Sequence, residues 1–515
     1  MVYALVLGLV SLLPQIPRTE LPQISCSRRV LAPGHARPLA SSEARPQHLE
    51  SPEQTVEPCP KGDAVEHDGK FERRVTRKVD MRLLPLCAFA YLLNYLDRSN
   101  IGNGKILNQE TGDSLLQKTS MTSTHYSIVL TVFGVAYTLF DIPANWVMKR
   151  YNFTTVLVLR FFIGVFEADF FPGNQPPTAL VRFPDKPITH FHPGIVYLIT
   201  FWYTPNQRSL RIAFVLASAT LAGAFGGCIG YGVGHLNGDG GLEGFRWLFI
   251  IEGISTIASA PLVLAFLPNW PAVATWLDDG EKRYIISRVE EGAGGFTRES
   301  ASRREILETC FAPRMVAHYL AYLANTVVLN SLAYFTPTIV ANLGYKSITA
   351  QLMTVPPWVV GYVVSLGLAY SADRFNARGL HIAGATFVSG VGFLACILLP
   401  ADAYSRRYGC LYLIACGAFP SAAPMVGWVT CNVPSKRTMG LAAAINNGTV
   451  GIASIISVWI WPAKDAASGF PTGNIVCSAA GFLTAALMLG LRFHYGRMNK
   501  NGELDASGVQ RVWAY

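Results

Sequence analysis

Two charged side chains lie in one apolar stretch of this chain, and their types and spacing indicate chemistry. Residues 154–173 are apolar enough to enter a bilayer, yet they include Arg160 and Glu167. A charge at the bilayer centre costs roughly 3 kcal/mol on insertion scales, so it is rarely retained without a role. Their separation of two helical turns, about 10 Å along the axis, predicts that both lie on nearly the same helix face. Gly164 on that face leaves room for a neighbouring helix or a ligand.

This charged face is suited to binding an anion and carrying a proton. Arg160 offers a bidentate fork to a small carboxylate. Glu167 offers a carboxyl group whose pKa responds to burial and to nearby charge, as proton coupling requires. The alternative is a structural role, in which Arg160 reaches backbone carbonyls and Glu167 lies near the membrane interface.

Further polar or aromatic residues within apolar stretches are candidates for contacts with a substrate or a proton. In the first half of the chain they are Asn94, Asp97 and Arg98, and in the second half Asn325, Asn330, Tyr334, Trp358, Asn446 and Asn447. Structural alternatives exist for each type. Asp97 and Arg98 are also placed to snorkel to the interface, membrane asparagines also join helices at roughly 0.6 kcal/mol each, and Trp358 is equally suited to core packing. Glu252 is interpreted first as a polar residue for helix packing.

The composition indicates a membrane protein with many spans. The chain has 515 residues, of which 51% are hydrophobic and 15% charged, and its mean hydropathy is +0.30. Soluble globular chains are typically about a quarter charged. The net charge of +9 comes from short basic clusters between apolar runs, which is the positive-inside pattern of a membrane protein rather than a nucleic-acid interface. The ten cysteines form no C-x-x-C pair, so we expect no metal site and no cofactor.

The apolar runs divide the chain into two helical bundles. We expect a disordered cytosolic tail (1–80), a first bundle (81–267), a polar cytoplasmic loop (268–313), a six-helix second bundle (314–494) and a cytosolic tail (495–515). The predicted spans are 83–104, 126–148, 154–173, 210–233, 247–267, 315–340, 348–370, 380–400, 408–430, 438–461 and 472–493. Basic clusters place both termini in the cytoplasm. The opening run 1–14 is too short to span comfortably. It is interpreted as a signal peptide, although the usual preceding basic residue is missing, or as a spurious start or a surface segment.

Successive membrane spans should place successive loops on opposite sides of the membrane, and the first bundle departs from this rule once. Arg150 and Arg208 both read as cytoplasmic, yet only 154–173 crosses fully between them. The intervening residues are a polar, proline-rich insert (174–193) and a short apolar piece (194–203), whose ten helical residues would cover about 15 Å, half a bilayer core. Either a helix is missing from this chain, or the 154–173 helix is re-entrant, or the insert contains an unusual half-span. The predicted total is about eleven spans.

Two bundles, a basic central loop and cytoplasmic ends resemble the major facilitator superfamily. The turn after the 348–370 span contains Asp373, Arg374 and Arg378, which resembles the family's cytoplasmic loop motif. The resemblance implies that this loop acts as a charge latch between helices. Its first-half counterpart keeps Lys149 and Arg150 but lacks the aspartate.

Several blocks are similar, more specifically, to fungal anion:cation symporters of the allantoate permease type. They are LLNYLDRSNIGN (92–103), LRFFIGVFEADFFPG (159–173), FRWLFIIEG (245–253) and AAAINNGTVGI (442–452). This resemblance implies that 157–173 and 194–203 belong to one fourth span, that the third span is absent, and that 174–193 interrupts the fourth. A retained intron with a lost exon would produce both features; the alternative is a genuine eleven-span protein.

The function implied by this group is proton-coupled uptake by alternating access. The expected substrate is a small organic anion such as nicotinate, pantothenate or an allantoate-like ureido acid, and the expected setting is a monomer in the plasma membrane, without nucleic acid. An alternative is a homologue that does not transport, either through a defective gene model or because it is a nutrient sensor. A membrane enzyme is disfavoured because no nucleophile motif or Walker loop occurs.

Overall fold

The structure is a computed structural model that describes most of the chain from residue 69 onward. The described residues are 69–132, 135, 198–199, 201–267, 271–293, 302–345, 347–375, 377–433, 438–502 and 513. The predictions on the N-terminal segment 1–68, on the 154–173 stretch, on the absent third span and on the insert 174–193 therefore lie outside the described residues. The described elements are helices, and the predicted all-α membrane fold is confirmed.

Three long helices are described in the first half. They are α1 (Gly69–Ile106), α2 (Pro205–Gly234) and α3 (Gly244–Phe266). A further helix begins at residue 123 and is described as far as residue 132, inside the predicted 126–148 span. Each long helix contains the span predicted there or nearly all of it, because unbroken apolar runs of about 20 residues satisfy their backbone hydrogen bonds only as helices.

The predicted disordered tail, 1–80, extends too far, because α1 already begins at Gly69. The residues at its start carry an apolar stripe, in which Val75 and Val79 are spaced by one turn and buried. Both belong to one apolar cluster with Ile285 from the central linker. The many charged residues of this segment obscured the apolar stripe in the sequence. The segment is helical because other parts of the chain cover this stripe.

The predicted polar loop 268–313 also contains two helices, α4 (Asp279–Ala293) and α5 (Arg303–Phe311). The α4 helix is fastened to α1 by an ion pair between Lys78 Nζ and a carboxylate oxygen of Glu281, 2.6 Å apart. Burial alone would raise the pKa of Glu281, but the hydrogen bonds from Lys78 and from the Asp278 N–H, with the nearby basic charges, lower that pKa overall. The pair therefore stabilises the fold above the ordinary pKa of a glutamate and loses this contribution as the pH falls through the lowered value.

Six helices form the second half, at the positions of the six predicted spans. They are α6 (Pro313–Asn342), α7 (Ser347–Arg374), α8 (Arg378–Leu398), α9 (Tyr404–Cys431), α10 (Met439–Trp459) and α11 (Pro471–Asn501). Over the described part of the chain, nine helices are long and apolar enough to cross a membrane. The total of about eleven spans stays a prediction, because part of the first half lies outside this set.

The helix ends lie on two sides of the bundle. Contacts such as Arg211 Nε to Asp80, 2.6 Å, join the start of α2 to the start of α1. We call this the terminal side, since the described ends 69 and 502 lie there with α4 and α5. On the opposite side, Asn108 Nδ2 donates to the carbonyl oxygen of Gly234, 3.0 Å, and joins the ends of α1 and α2.

Glycines let the two halves touch backbone to backbone. A Cβ on Gly227 of α2 would lie 2.6 Å from the carbonyl oxygen of Gln351 and from Thr354 Oγ1 in α7. A Cβ on Gly102 of α1 would lie 2.6 Å from the carbonyl oxygen of Tyr334 in α6. These approaches are possible only without a side chain, as expected where membrane helices associate through small residues. The glycine-rich span predicted at 210–233 is thus part of the contact between the halves.

Gly227→Ala is expected to push α2 away from α7 and lower the apparent melting temperature of the purified protein in detergent, because the added methyl group meets backbone. Gly232→Ala is the matched control, since its Cβ would meet nothing within 4 Å on the same helix. Thermal unfolding followed by tryptophan fluorescence compares the two variants. Equal melting temperatures for both would contradict the close approach.

Candidate functional site at the contact between the halves

Arg98 joins the first half of the bundle to the second. Its Nε donates to the hydroxyl oxygen of Tyr334 at 2.8 Å, and its Nη2 donates to Asn330 Oδ1 at 3.1 Å. The guanidinium carbon also lies 5.6 Å from the centre of the Tyr334 ring. Both partners are in α6, and both are neutral. A charge in a spanning helix is thus bound by polar groups across the interface, as its desolvation requires.

The helix period explains why two residues of α6 reach the same guanidinium. Asn330 and Tyr334 are four residues apart and so lie on one face, one turn from each other. Both are buried. The Tyr334 hydroxyl also lies 3.2 Å from Ser454 Oγ in α10, so the network continues into a third helix. Arg98, Asn330, Tyr334 and Ser454 are hereafter the Arg98 cluster.

The side-chain amide of Asn330 uses its oxygen in a hydrogen bond, whereas its nitrogen is unpaired among the described residues. Its oxygen accepts from Arg98, and its Nδ2 is buried with no hydrogen-bond partner in the described part of the chain. The assignment of oxygen and nitrogen follows from the bond to Arg98, because a flipped amide would direct donors at a cation. Buried donors of this kind are usually satisfied in proteins. A ligand with an acceptor oxygen would satisfy this one.

A second polar network connects α1 with α3. Asn103 Nδ2 donates to Asn100 Oδ1 at 2.7 Å, and Asn100 Nδ2 donates to Glu252 Oε1 at 2.7 Å. All three side chains are buried. Glu252 is thus bonded across a helix contact, as its interpretation as a packing residue predicted. It is also a buried titratable group.

Asp97 has a neighbour on α3 as well. The hydroxyl of Thr256 lies 3.4 Å from Asp97 Oδ1. Asp97 and Asn94 are half-buried on α1. Asp97 therefore faces the α1–α3 contact, whereas Arg98, the next residue, reaches across to α6.

The remaining predicted site residues of the second half are all buried. Ser421 Oγ donates to Asn325 Oδ1 at 3.0 Å, while Asn325 Nδ2 has no partner among the described residues. Asn446 and Asn447 are buried in α10. Trp358 packs between Gly223 of α2 and the ring of Phe419. The ring centres of Trp358 and Phe419 are 4.5 Å apart. These are packing contacts, and a substrate contact for Trp358 stays a prediction.

The loop motif between α7 and α8 contains an ion pair, and its role as a latch stays a prediction. Arg378 Nε and Nη2 lie 3.1 and 3.0 Å from Asp373 Oδ1, and Arg378 Nη1 lies 3.3 Å from Cys431 Sγ at the end of α9. Arg374 is exposed. The motif thus connects three helix ends through Arg378. Its first-half counterparts, Lys149 and Arg150, lie outside the described residues, as do Arg160 and Glu167.

Sequence reasoning did not select several residues that the structure brings to this region. Asn103, Thr256 and Ser454 complete the networks described above. Lys105 was also missed, and its Nζ lies 5.0 Å from the ring centre of Tyr126 and 5.1 Å from that of Phe335, again between the halves. The spacing of Asn100 and Asn103 by three residues was an available signal. No pattern in the sequence indicates which residue of α10 meets Tyr334.

No cluster of three or more His, Cys, Asp or Glu side chains that could hold a metal ion was found in the described ranges.

Comparisons with known proteins agree with this architecture. Residues 87–458 match the family model described as Major Facilitator Superfamily. The chain is 43% identical over 466 residues to the MFS transporter prlL of a fungal species (strain NRRL 50135), covering 85% of this chain and 90% of that one. It is 30% identical over 494 residues to the MFS-type transporter cnsO of Penicillium expansum, covering 86% and 88%.

Solved structures share the fold at low sequence identity. The xylose transporter XylE from E. coli, in a partially occluded inward-open conformation, matches with a TM-score of 0.55 and 15% identity, covering 80% of this chain and 98% of that one. A bacterial homologue of the human lysosomal transporter Spinster, inward-facing and unoccupied, matches with a TM-score of 0.56 and 14% identity, covering 81% and 97%.

The family match and the transporter relatives, which cover most of the chain, show a membrane transporter and not an enzyme. The chain belongs to the Major Facilitator Superfamily, and it is an integral membrane protein with multiple spans.

Arg98→Gln and Tyr334→Phe are each expected to lower the apparent melting temperature, because each removes the same charge-assisted hydrogen bond, worth about 1.5–3 kcal/mol. The double variant should lose less than the sum of the two, since the bond can be lost only once. Arg98→Gln combined with Tyr319→Phe is the control, because the Tyr319 hydroxyl bonds elsewhere, to the carbonyl oxygen of Thr309. Strict additivity in the first pair would show that the two residues do not interact.

Arg378→Gln should destabilise the protein more than Arg374→Gln. The first variant breaks the bonds to Asp373 and Cys431, whereas Arg374 is exposed and has no ion pair with the described residues. Thermal unfolding of both variants in one detergent measures the difference. A lower apparent melting temperature for Arg374→Gln than for Arg378→Gln would contradict this prediction.

Proposed function

We propose that this chain is a proton-coupled symporter of a small organic anion that works by alternating access. The observation that carries the proposal is the Arg98 cluster. A cation in a spanning helix is bound from the other half by a phenol and an amide, and the amide nitrogen of Asn330 is unpaired.

The chemistry of this cluster favours an anionic ligand. The two groups that α6 contributes to Arg98 are a phenol and an amide, so α6 supplies hydrogen-bond partners and no carboxylate. A carboxylate can accept from a guanidinium and, with its other lone pairs, from the amide donors of Asn330. Such a ligand would bond to both halves at once, which is what couples binding to their relative movement. Arg160 and Asn94 from the first half, with Asn325, Asn446 and Asn447 from the second, are proposed as further contacts.

The distribution of carboxylates supports proton coupling through the first half. The second-half spans contain one acidic residue within the described helices, Asp373, at the last turn of α7. Within the predicted spans, the described carboxylates of the first half are Asp97 and Glu252. Both lie on the α1–α3 contact, where Asp97 is next to Arg98 in the sequence and Glu252 accepts from Asn100. A carboxyl group next to an anion site can hold a proton while the site is occupied, because the arriving negative charge favours its neutral form. We propose Asp97, Glu252 and Glu167 as the proton-binding groups.

Substrate class and setting follow from the resemblance of the sequence blocks to the allantoate permease group. The proposed substrates are vitamin carboxylates such as nicotinate or pantothenate, or allantoate-like ureido acids. Basic residues are concentrated on the terminal side, in the start of α1, in α4 and α5, and around Arg378. This asymmetry supports a cytoplasmic terminal side. The proposed setting is a monomer in the plasma membrane.

Uptake by cells that express the chain tests the proposal. Yeast cells carrying the full chain should accumulate at least one radiolabelled carboxylate among nicotinate, pantothenate and allantoate, and a protonophore should abolish the accumulation. Arg98→Gln should abolish it as well, at an unchanged amount of protein in the membrane. Arg77→Gln is the matched control, because Arg77 is exposed on the same helix.

Each outcome has a distinct meaning. Uptake that a protonophore does not affect would overturn proton coupling while leaving the anion class. Equal uptake in the Arg98 and Arg77 variants would remove Arg98 from the pathway. Absence of uptake for every carboxylate, with the protein present in the membrane, would overturn the transporter and favour a homologue without transport.

A further inference from the structure

The second half contains a cavity on the opposite side of the bundle, away from the terminal side. Its volume is about 420 Å³. It lies among the ends of α6, α8 and α9 and the turn Ala463–Ser468 that precedes α11. The residues that matter for its chemistry are Phe393, Asp402, Arg407, Trp461 and Phe470.

Arg407 is a buried cation in the wall of this cavity. It is only 7% exposed, and its Nη2 donates to the carbonyl oxygens of Cys396, at 2.8 Å, and Gly469, at 3.0 Å. Its Nε is buried without a hydrogen-bond partner, and it forms no ion pair with a described carboxylate. Two carbonyls fix the side chain but leave its charge uncompensated, which is costly in a buried position.

Trp461 supplies a second unpaired donor to the same cavity. Its indole Nε1 is buried with no hydrogen-bond partner among the residues described, and the residue is 5% exposed. Its ring is held between Phe335, stacked at 5.8 Å between ring centres, and Phe470, edge-on at 5.6 Å. An indole nitrogen can only donate. Two buried donors, one of them charged, therefore line one aromatic-walled cavity.

Two acidic residues limit the charge that the cavity accepts. Asp402 lines the cavity and is exposed, so it lies at the mouth. Asp465 is in the adjacent turn and is not a lining residue, and one of its carboxylate oxygens is buried with no partner among the described residues. Both disfavour a ligand with two negative charges.

We propose that this cavity is a second ligand site, separate from the Arg98 cluster, for a small aromatic monocarboxylate. The carboxylate would accept from Arg407 and from the Trp461 indole N–H, and the ring would pack on Phe393, Phe470 and Trp461. The volume falls in the range of small-molecule sites, roughly 300–1,000 Å³. The described lining residues all belong to the second half, so the test of this site does not depend on the proposed transport. It touches α6, which also carries Asn330 and Tyr334.

Ligand-dependent thermal unfolding of the purified full chain in detergent tests this site. Benzoate should raise the apparent melting temperature in a saturable way, whereas its neutral isostere benzamide should not. Arg407→Met should abolish the benzoate effect. Trp461→Phe keeps the aromatic wall and should weaken benzoate binding by roughly tenfold, through loss of one hydrogen bond to a charged group. Asp402→Asn should tighten it by roughly two- to fivefold, because a nearby like charge is removed.

The Arg98→Gln variant separates this site from the central one. It should retain the full response to benzoate even if it takes up no substrate. A benzoate effect that is lost in Arg98→Gln and kept in Arg407→Met would overturn the proposal, because the ligand would then be in the central cluster. Equal stabilisation by benzamide, or no stabilisation by benzoate, would also overturn it.

The Trp461 and Asp402 variants keep the test valid if Arg407→Met does not fold, because neither removes a bond that holds the backbone around the cavity. Unchanged benzoate affinity in both would then count against the site. Hexanoate provides the last comparison, and stabilisation equal to that of benzoate would overturn the aromatic specificity.

Discussion

The energetic constraint on which the structure depends is that a charge in an apolar medium must be bound by protein groups. Arg98 lies in a spanning helix, where an unbound guanidinium would carry a large desolvation cost. Its hydrogen bonds to Asn330 and Tyr334 meet this requirement from the other half of the molecule. The contact between halves is therefore polar at its centre and not merely apolar packing. A ligand that competes for the same donors must change how the halves are held.

Close backbone approach is what brings these polar groups within reach. Without side chains at Gly227 and Gly102, α2 and α7 can touch, and α1 can rest on the backbone of α6 beside Tyr334. In a bilayer, helices gain little from apolar burial, since lipid chains are equally apolar. Glycine contacts and a few hydrogen bonds therefore account for association, and both are concentrated along the same surfaces. Gly102 of α1 meets the backbone of α6, and the hydrogen bonds of Arg98 join the same two helices.

The second half contains the same kind of chemistry at another place. Arg407 is fixed by two carbonyls near the opposite side, and Trp461, whose indole N–H has no partner among the described residues, lines the same cavity. The two cationic sites differ in construction. The Arg98 cluster is shared between halves and so is sensitive to their movement, whereas the described residues around the Arg407 cavity all belong to the second half.

Local sequence pattern was sufficient to predict the described membrane-spanning helices, and it was insufficient to predict which polar residues meet at the candidate site. Apolar runs of about 20 residues can satisfy their backbone in a bilayer only as helices, so the six spans of the second half and the spans of α1, α2 and α3 follow from composition alone. The start of α1 at Gly69 did not follow, because its apolar stripe is covered by α4, a partner distant in the chain. Arg98, Asn330 and Tyr334 could be selected as unusual polar residues. Which helix faces meet decides the hydrogen bonds among these three residues and the contact between Tyr334 and Ser454. It also decides the packing of Trp358 against Phe419. Tertiary structure alone decides those faces, because helix rotation and crossing are set by contacts between residues distant in the chain, such as Arg98 and Tyr334, 236 positions apart.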